Sequence, residues 1–259
     1  MPLLPHNNAQ IHYTSTGSGT AVVLLHGFLE NSTIYQPFVN ELAKNHTVVV
    51  IDLPGHGQTG CFAEVHTMEL MADIVHLVLE KEGITTAGLT GHSMGGYVAL
   101  AFLHKYPEKV THLMLLNSVA SEDTPEKKLN RDRGIKVAKE MPENFISMGV
   151  MNLFSEEHKV SLEKEIKALK QEALKTQVAG ITAALAGMKI RPDLVNLFKN
   201  ANIKKHYIIG NEDPTINVDA IIEQADAVGA NTTVVRGGHM SYIENKEETL
   251  QALIEFFKN

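Results

Sequence analysis

The chain has 259 residues, 44% hydrophobic and 20% charged, which suits one large globular domain, or a domain with an insertion, and excludes disorder. Its formal net charge of −7 argues against a dedicated nucleic-acid binder, and no apolar run reaches the about 18 residues of a membrane span. A single cysteine, Cys61, permits no internal disulfide, and the start, MPLLPHNNAQ, lacks a basic segment and a long apolar one. The expectation is a cytoplasmic protein without a signal peptide.

Asn7 and Asn8 suggest a hairpin turn before QIHYTST, which reads as a strand. AVVLLH is a continuous apolar run, as in a buried parallel strand. A helix is predicted within 33–44, and TVVVID is the next strand. TMELMADIVHLVLEK has apolar residues three and four apart and predicts an amphipathic helix. TTAGLTGH is a strand, MGGYVALAFLHKY a helix stopped by Pro107, and VTHLMLLNS a strand. This alternation implies a parallel sheet with helices on both faces. From about 119 to about 188 the pattern is almost only helical, and Ser155 is a plausible cap with Glu156 and Glu157 behind it. KKHYIIG, NVDAIIEQADAV, NTTVVRGG and EETLQALIEFFK then restore strand, helix, strand and helix. The helical block therefore reads as a lid inserted between two strands of one sheet.

One short stretch carries the chemistry. Gly91-His92-Ser93-Met94-Gly95 fits G-x-S-x-G and sits where a predicted strand turns into a helix. On so sharp a turn, side chains two residues either side of the serine would clash, hence the glycines. The turn lifts the hydroxyl off the sheet edge and aims a helix N-terminus at the reaction centre. A serine hydroxyl needs a base, and the base an orienting acid. IIGNEDPTI carries Asp213 and VVRGGHMSYI carries His239, each after a later strand, in the order Ser, Asp, His.

Other residues compete for these roles. Glu212 and Asp219 are close rivals of Asp213, whereas Asp52, at the end of TVVVID, reads as a loop organiser. His92 adjoins Ser93 but points to the opposite face of a strand. His26 and His56, in Gly-rich loops, read as hydrogen-bonded structural residues, and Cys61 has no assignable basic partner. For an oxyanion, the N–H of Met94 is one donor. The N–H of Phe28, in LLHGFLEN, is the second, with its ring on the pocket wall.

With HGF at 26–28, DLPGHGQT at 52–59, GHSMGG at 91–96, GNED at 210–213 and GGH at 237–239, the chain resembles the α/β-hydrolase family over nearly its whole length. The resemblance implies an α/β fold with a mostly parallel eight-stranded sheet flanked by helices and a helical cap after the sixth strand. The core would be 1–118 and 189–259, the cap 119–188. It implies Ser93 as nucleophile, His239 as base and then acid, Asp213 as its orienting partner, Phe28 and Met94 as oxyanion donors, and no cofactor. No metal-binding motif is present.

Within the family, Ser93 disfavours the branches that use aspartate there, and Phe28 stands where cofactor-free perhydrolases have tryptophan. HGFLEN departs from the longer oxyanion loop of carbon–carbon hydrolases. Tyr97 replaces the arginine of the menaquinone-pathway synthase that eliminates pyruvate, which weighs against a lyase without removing it. What remains is esterase, lactonase or thioesterase chemistry. The expected partner is a small-molecule ester, largely apolar and small to medium in size, bound by a monomer or homodimer. A non-catalytic receptor is disfavoured by the complete triad.

The cap segment KEMPENFISMGVMNLF offers Met141, Phe145, Met148, Met151 and Phe154, an adaptable apolar surface. Tyr97, Phe145, Met148 and Met151 are the expected substrate contacts. Arg131 and Arg133 either catch a substrate carboxylate or phosphate or belong to a solvated face.

Overall fold

The computed structural model describes residues 3–6 and 9–258, so the turn predicted at Asn7 and Asn8 lies outside the described residues. The strands are β1 (Leu3–His6), β2 (Ala9–Gly17), β3 (Thr20–Leu25), β4 (His46–Ile51), β5 (Ala87–His92), β6 (Val110–Leu116), β7 (Lys204–Gly210) and β8 (Asn231–Val235). Helices α1 (Gln36–Leu42), α2 (Met68–Lys81) and α3 (Met94–Lys105) alternate with the first six strands. Between β6 and β7 the chain makes α4 (Pro125–Glu140), α5 (Pro142–Met151), α6 (His158–Ser161), α7 (Glu163–Ala173), α8 (Val178–Ile190) and α9 (Val195–Asn200). It closes with α10 (Val218–Val228), α11 (Ser241–Glu244) and α12 (Lys246–Phe257) around β8.

All eight strands join one sheet in the order β1-β2-β4-β3-β5-β6-β7-β8. β1 and β2 and then β2 and β4 pair antiparallel, and every other pair is parallel. The apolar run that reads as a buried strand is buried on both faces: Val22, Val23, Leu24 and Leu25 in β3 all lie in the core, as do Leu113 to Leu116 in β6. β3 lies between β4 and β5, so the direction of winding reverses there. A crevice opens at such a reversal, beyond the carboxyl ends of the strands. The loops after β3, β5, β6, β7 and β8 all emerge at that edge.

Local sequence explains the helix ends. Thr67 caps α2, its hydroxyl accepting the Leu70 N–H at 3.1 Å. The helix expected within 33–44 begins as a 3-10 turn at Ser32–Tyr35 and becomes α-helical at Gln36, with Pro37 in the first turn, where its missing N–H costs nothing. Ser155 does not cap a helix. Its hydroxyl donates to Glu244 at 2.7 Å, and the helical pattern behind it is broken into α6, α7 and α8.

The helices between β6 and β7 are tied to the sheet loops on two sides, among other contacts. The backbone N–H of His239 donates to Leu153 at 2.9 Å, and Glu244 accepts both the N–H and the hydroxyl of Ser155. On the other side, α8 presents a row of small residues. The His66 N–H donates to Ala183 at 3.0 Å, and a methyl at Gly187 would sit 1.7 Å from the carbonyl of His66. At Gly180 it would sit 2.2 Å from the carbonyl of Gly55. Among the described residues no helix is long and apolar enough to cross a membrane.

The Gly187 contact gives a test of this packing. Alanine favours a helix over glycine by about 1 kcal/mol, so Gly187→Ala would stabilise a loosely held α8. Here the overlap with the His66 carbonyl should outweigh that gain, with overpacking costing about 1–3 kcal/mol. Thermal unfolding should show a melting temperature lowered by several degrees. An unchanged or raised value would contradict the close approach.

Candidate active site

Ser93 stands between the end of β5 and the start of α3 with φ 48° and ψ −114°, a conformation that L-residues rarely adopt. Close contacts on both sides require it. A methyl at Gly91 would lie 2.2 Å from the carbonyl of Gly95, and one at Gly95 would lie 2.2 Å from the carbonyl of Leu25. The turn is pinned from β6 and the residues after it. The Ser93 N–H donates to Leu116 at 3.0 Å, and the Ser118 hydroxyl donates to the Ser93 carbonyl at 2.8 Å.

The loops after β7 and β8 bring Asp213 and His239 to this serine. The Ser93 hydroxyl is 2.8 Å from His239 Nε2, and His239 Nδ1 is 2.7 Å from Asp213 Oδ2. With Nδ1 donating to the carboxylate, Nε2 is left to accept the serine proton. Asp213 Oδ1 accepts the Thr215 N–H and hydroxyl, both at 2.8 Å, and the Ile216 N–H at 3.2 Å. Asn117 donates to Asp213 Oδ2 at 3.0 Å and to the Gly238 carbonyl at 3.2 Å, while its own carbonyl accepts from Ser241. Burial alone would raise the Asp213 carboxyl. The neighbouring His239 and the hydrogen bonds from His239, Thr215 and Asn117 outweigh it and hold the group at about 2. Glu212 and Asp219 are exposed, and the side chain of His239 bonds to Asp213, Thr215 and Ser93 instead.

A second buried pair links the loop after β3 to the same histidine. Glu30 Oε2 accepts the Gly27 N–H at 2.6 Å and faces His92 Nδ1 at 3.0 Å. His92 Nε2 faces the backbone carbonyl of His239 at 2.9 Å. Both ring nitrogens thus point at acceptors. Burial would push this imidazole down, but Glu30 and the hydrogen bonds at both nitrogens raise it above the ordinary value. The same contacts lower Glu30 against the effect of its own burial. The N–H groups of Phe28 and Met94 make no hydrogen bond with the described residues.

A cavity of about 340 Å³ opens onto Ser93 and His239. Phe28, Tyr97, Phe145 and Arg131 line it, with Leu29, Leu153, Leu185, Met188 and Ile216. Met148 and Met151 do not reach it and are 66% and 41% exposed. The cause is the phase of α5: Phe145 and Gly149 face the cavity, Ile146 and Val150 face the core, and the two methionines fall on the third side. Met141 is exposed, Phe154 is buried in the core, and Arg133 stands in solvent with Asn130.

The rejected candidates have structural partners. Asp52 organises its loop by accepting the N–H groups of Ser32 and Gln58 and pairing with His12. His26 Nδ1 donates to Gly27 and Nε2 accepts the Leu53 N–H, so it stays neutral. Burial pushes His56 down to about 3 and raises the Cys61 thiol, the reverse of an activated nucleophile. Sequence reasoning missed Glu30, Asn117, Thr215 and Ser241. Signals existed for two of them. Asn117 is a left-handed asparagine after a buried strand, with φ 45°, and Asp-Pro-Thr is a turn sequence in which the aspartate accepts the N–H two residues on.

A model of the α/β hydrolase fold family matches residues 20–246. A pimeloyl-[acyl-carrier protein] methyl ester esterase of Vibrio parahaemolyticus is 29% identical over 205 residues, 72% of each chain. The structure of a thermophilic esterase from Thermogutta terrifontis matches with a TM-score of 0.92 and 30% identity, covering 96% of this chain and 93% of that one. An enol-lactonase from Burkholderia xenovorans LB400 shares the fold, with a TM-score of 0.91 and 20% identity over the whole of both chains. Some of the other matches are partial. One to an uncharacterized protein of Mycobacterium tuberculosis, 34% identical, spans 39% of this chain and 30% of that protein's length.

Asp213 also makes a stability prediction. Its carboxyl is held at about 2, below the ordinary 3.8. A depressed acid contributes stability that is full above the unfolded value and is lost as pH falls through the folded one. That contribution, about 2 kcal/mol, should disappear between pH about 4 and about 2. Asp213→Asn lacks it throughout, so the difference in melting temperature between wild type and variant should narrow over that window. A difference that stays constant would contradict the account.

Proposed function

The chain belongs to the α/β-hydrolase fold family, and on that premise we propose that it is a serine hydrolase of carboxylic esters, small to medium and largely apolar. The observation that carries this reading is the unbroken path from Ser93 through His239 to Asp213, at 2.8 and 2.7 Å, on the wall of the cavity. His239 takes the Ser93 proton as Oγ attacks the ester carbonyl, and Asp213 holds the ring in the tautomer that accepts it. The tetrahedral oxygen is stabilised by the N–H groups of Phe28 and Met94, the latter at the N-terminus of α3. Such a donor contributes about 3 kcal/mol to the transition state. His239 then protonates the leaving alcohol, and water, activated by the same ring, releases the acid from Ser93.

The cavity supports the size of substrate, since about 340 Å³ is near the lower end of ligand pockets at about 300–1,000 Å³. Residues 119–188 act as the cap that shapes it, with Phe145 on the cap side and Tyr97 and Phe28 on the core side. Lactones and thioesters fit the same steps, because each presents an acyl carbonyl with a leaving oxygen or sulfur. A second reading, elimination without an acyl-enzyme, is favoured by one feature, Arg131 on the cavity wall. It releases no alcohol from a simple ester.

Hydrolysis of p-nitrophenyl esters from acetate to dodecanoate tests the proposal. Wild type should show an optimum at short to medium chains, and Ser93→Ala should lose about a thousandfold or more in kcat. Asp213→Asn should stay folded and lose most of the turnover through the wrong histidine tautomer. Ser93→Ala at near wild-type turnover would remove the nucleophile from the account. Glu212→Gln more damaging than Asp213→Asn would remove the acid.

A further inference from the structure

α4 turns a polar face to a cavity whose other walls are mostly apolar. Lys127, Asn130, Arg131 and Gly134, spaced as one helical stripe, all line the space that opens onto Ser93 and His239. Facing them are Phe28, Leu29, Leu153 and Leu185. From these positions we propose that Lys127, Asn130 and Arg131 form a subsite for a carboxylate at the end of the substrate remote from the scissile ester. The preferred substrate is then a half-ester of a dicarboxylic acid rather than a neutral ester. This inference rests on the ester-hydrolase reading and narrows its substrate class.

Charge accounting supports it. Arg131 Nε donates to Asp123 at 3.0 Å, and the other oxygen of Asp123 lies 2.7 Å from the guanidinium of Arg191. One carboxylate therefore stands between two guanidinium groups, and the cluster keeps a net positive charge. Arg191 is committed: it is buried, lies 3.8 Å over the Tyr97 ring, and donates to the carbonyls of Met188 and Ser121. Arg131 uses only Nε, and its terminal nitrogens have no partner among the described residues. They are left in the fork that matches a carboxylate. The Lys127 ammonium has no partner among the described residues either.

Asn130 accepts from Arg133 through its carbonyl, which leaves its amide N–H groups to donate. Among the described residues lining the cavity Glu30 is the one carboxylate, and Gly27 and His92 already occupy it. In a chain of net charge −7, this wall has the opposite sign. The apolar side accommodates the methylene spacer between the carboxylate and the ester.

The test compares monoethyl succinate through monoethyl suberate with the neutral ethyl esters from butanoate to octanoate, by pH-stat titration. At the best chain length wild type should favour the acidic ester by about tenfold or more in kcat/KM, mostly through KM, as expected for a charge-assisted contact. Lys127→Gln and Arg131→Gln should each cut that ratio several-fold, and added salt should shrink it. Arg131 also supports Asp123, so its result is read beside Lys127→Gln, whose exposed side chain supports nothing. Lys139→Gln loses the same charge from the last turn of the same helix, away from the cavity, and should leave the ratio unchanged.

A ratio near one, with neutral esters still hydrolysed in a Ser93-dependent way, overturns the subsite and leaves the esterase reading standing. A preference that survives Lys127→Gln and Arg131→Gln overturns these residues as its source. Absence of Ser93-dependent hydrolysis of any ester overturns both.

Discussion

Ser93 holds a backbone conformation that costs about 1–3 kcal/mol, and the rest of the architecture follows from keeping it there. The turn survives because Gly91 and Gly95 leave room for it and because β6 reaches across to hold the Ser93 N–H. That contact exists only if β5 and β6 run parallel in register, with His92 opposite Leu116. Parallel strands in turn require crossover helices and burial on both faces, which the apolar runs of β3, β4 and β6 supply. The strained residue thus follows a strand paired in parallel on both sides, and the loops that carry its partners leave from the same edge.

Charge buried around that residue is arranged so that no group stands alone. Taking a carboxylate out of water is costly, and removing its hydrogen bonds would be more so. Asp213 gathers His239, Thr215, Ile216 and Asn117, and Glu30 gathers Gly27 and His92. The two networks meet at His239, whose side chain belongs to one and whose carbonyl belongs to the other. Gly27 and His239 are therefore linked through Glu30 and His92 by hydrogen bonds. The geometry fixes the β3 loop, the serine and the histidine relative to one another.

The parts legible in sequence were those that depend on local pattern. Continuous apolar runs gave the buried strands, three- and four-residue spacing gave α2, and G-x-S-x-G gave the turn at Ser93. Asp213 and His239 were legible because each follows a strand in a fixed order. The illegible parts depend on contacts far apart in the chain. Nothing in ISMGVM says which side of α5 meets the cavity, so of the α5 residues expected there Phe145 lines it and Met148 and Met151 do not. Ser155 resembles a helix cap locally, yet Glu244, distant in sequence, claims its hydroxyl. Nothing in HGFLEN marks Glu30, because its partner, His92, lies on β5, distant in sequence.

The central claim is that Ser93 is the nucleophile which the fold strains and activates. The most direct measurement is intact-mass and peptide-mapping mass spectrometry of the folded protein after reaction with an alkyl fluorophosphonate, which phosphonylates an activated serine with loss of fluoride. The account predicts one adduct per chain, on the peptide containing Ser93, and loss of that adduct in Asp213→Asn at short reaction times. A folded protein that takes up no label, or takes it at Ser118 or Ser241 instead, would contradict the account.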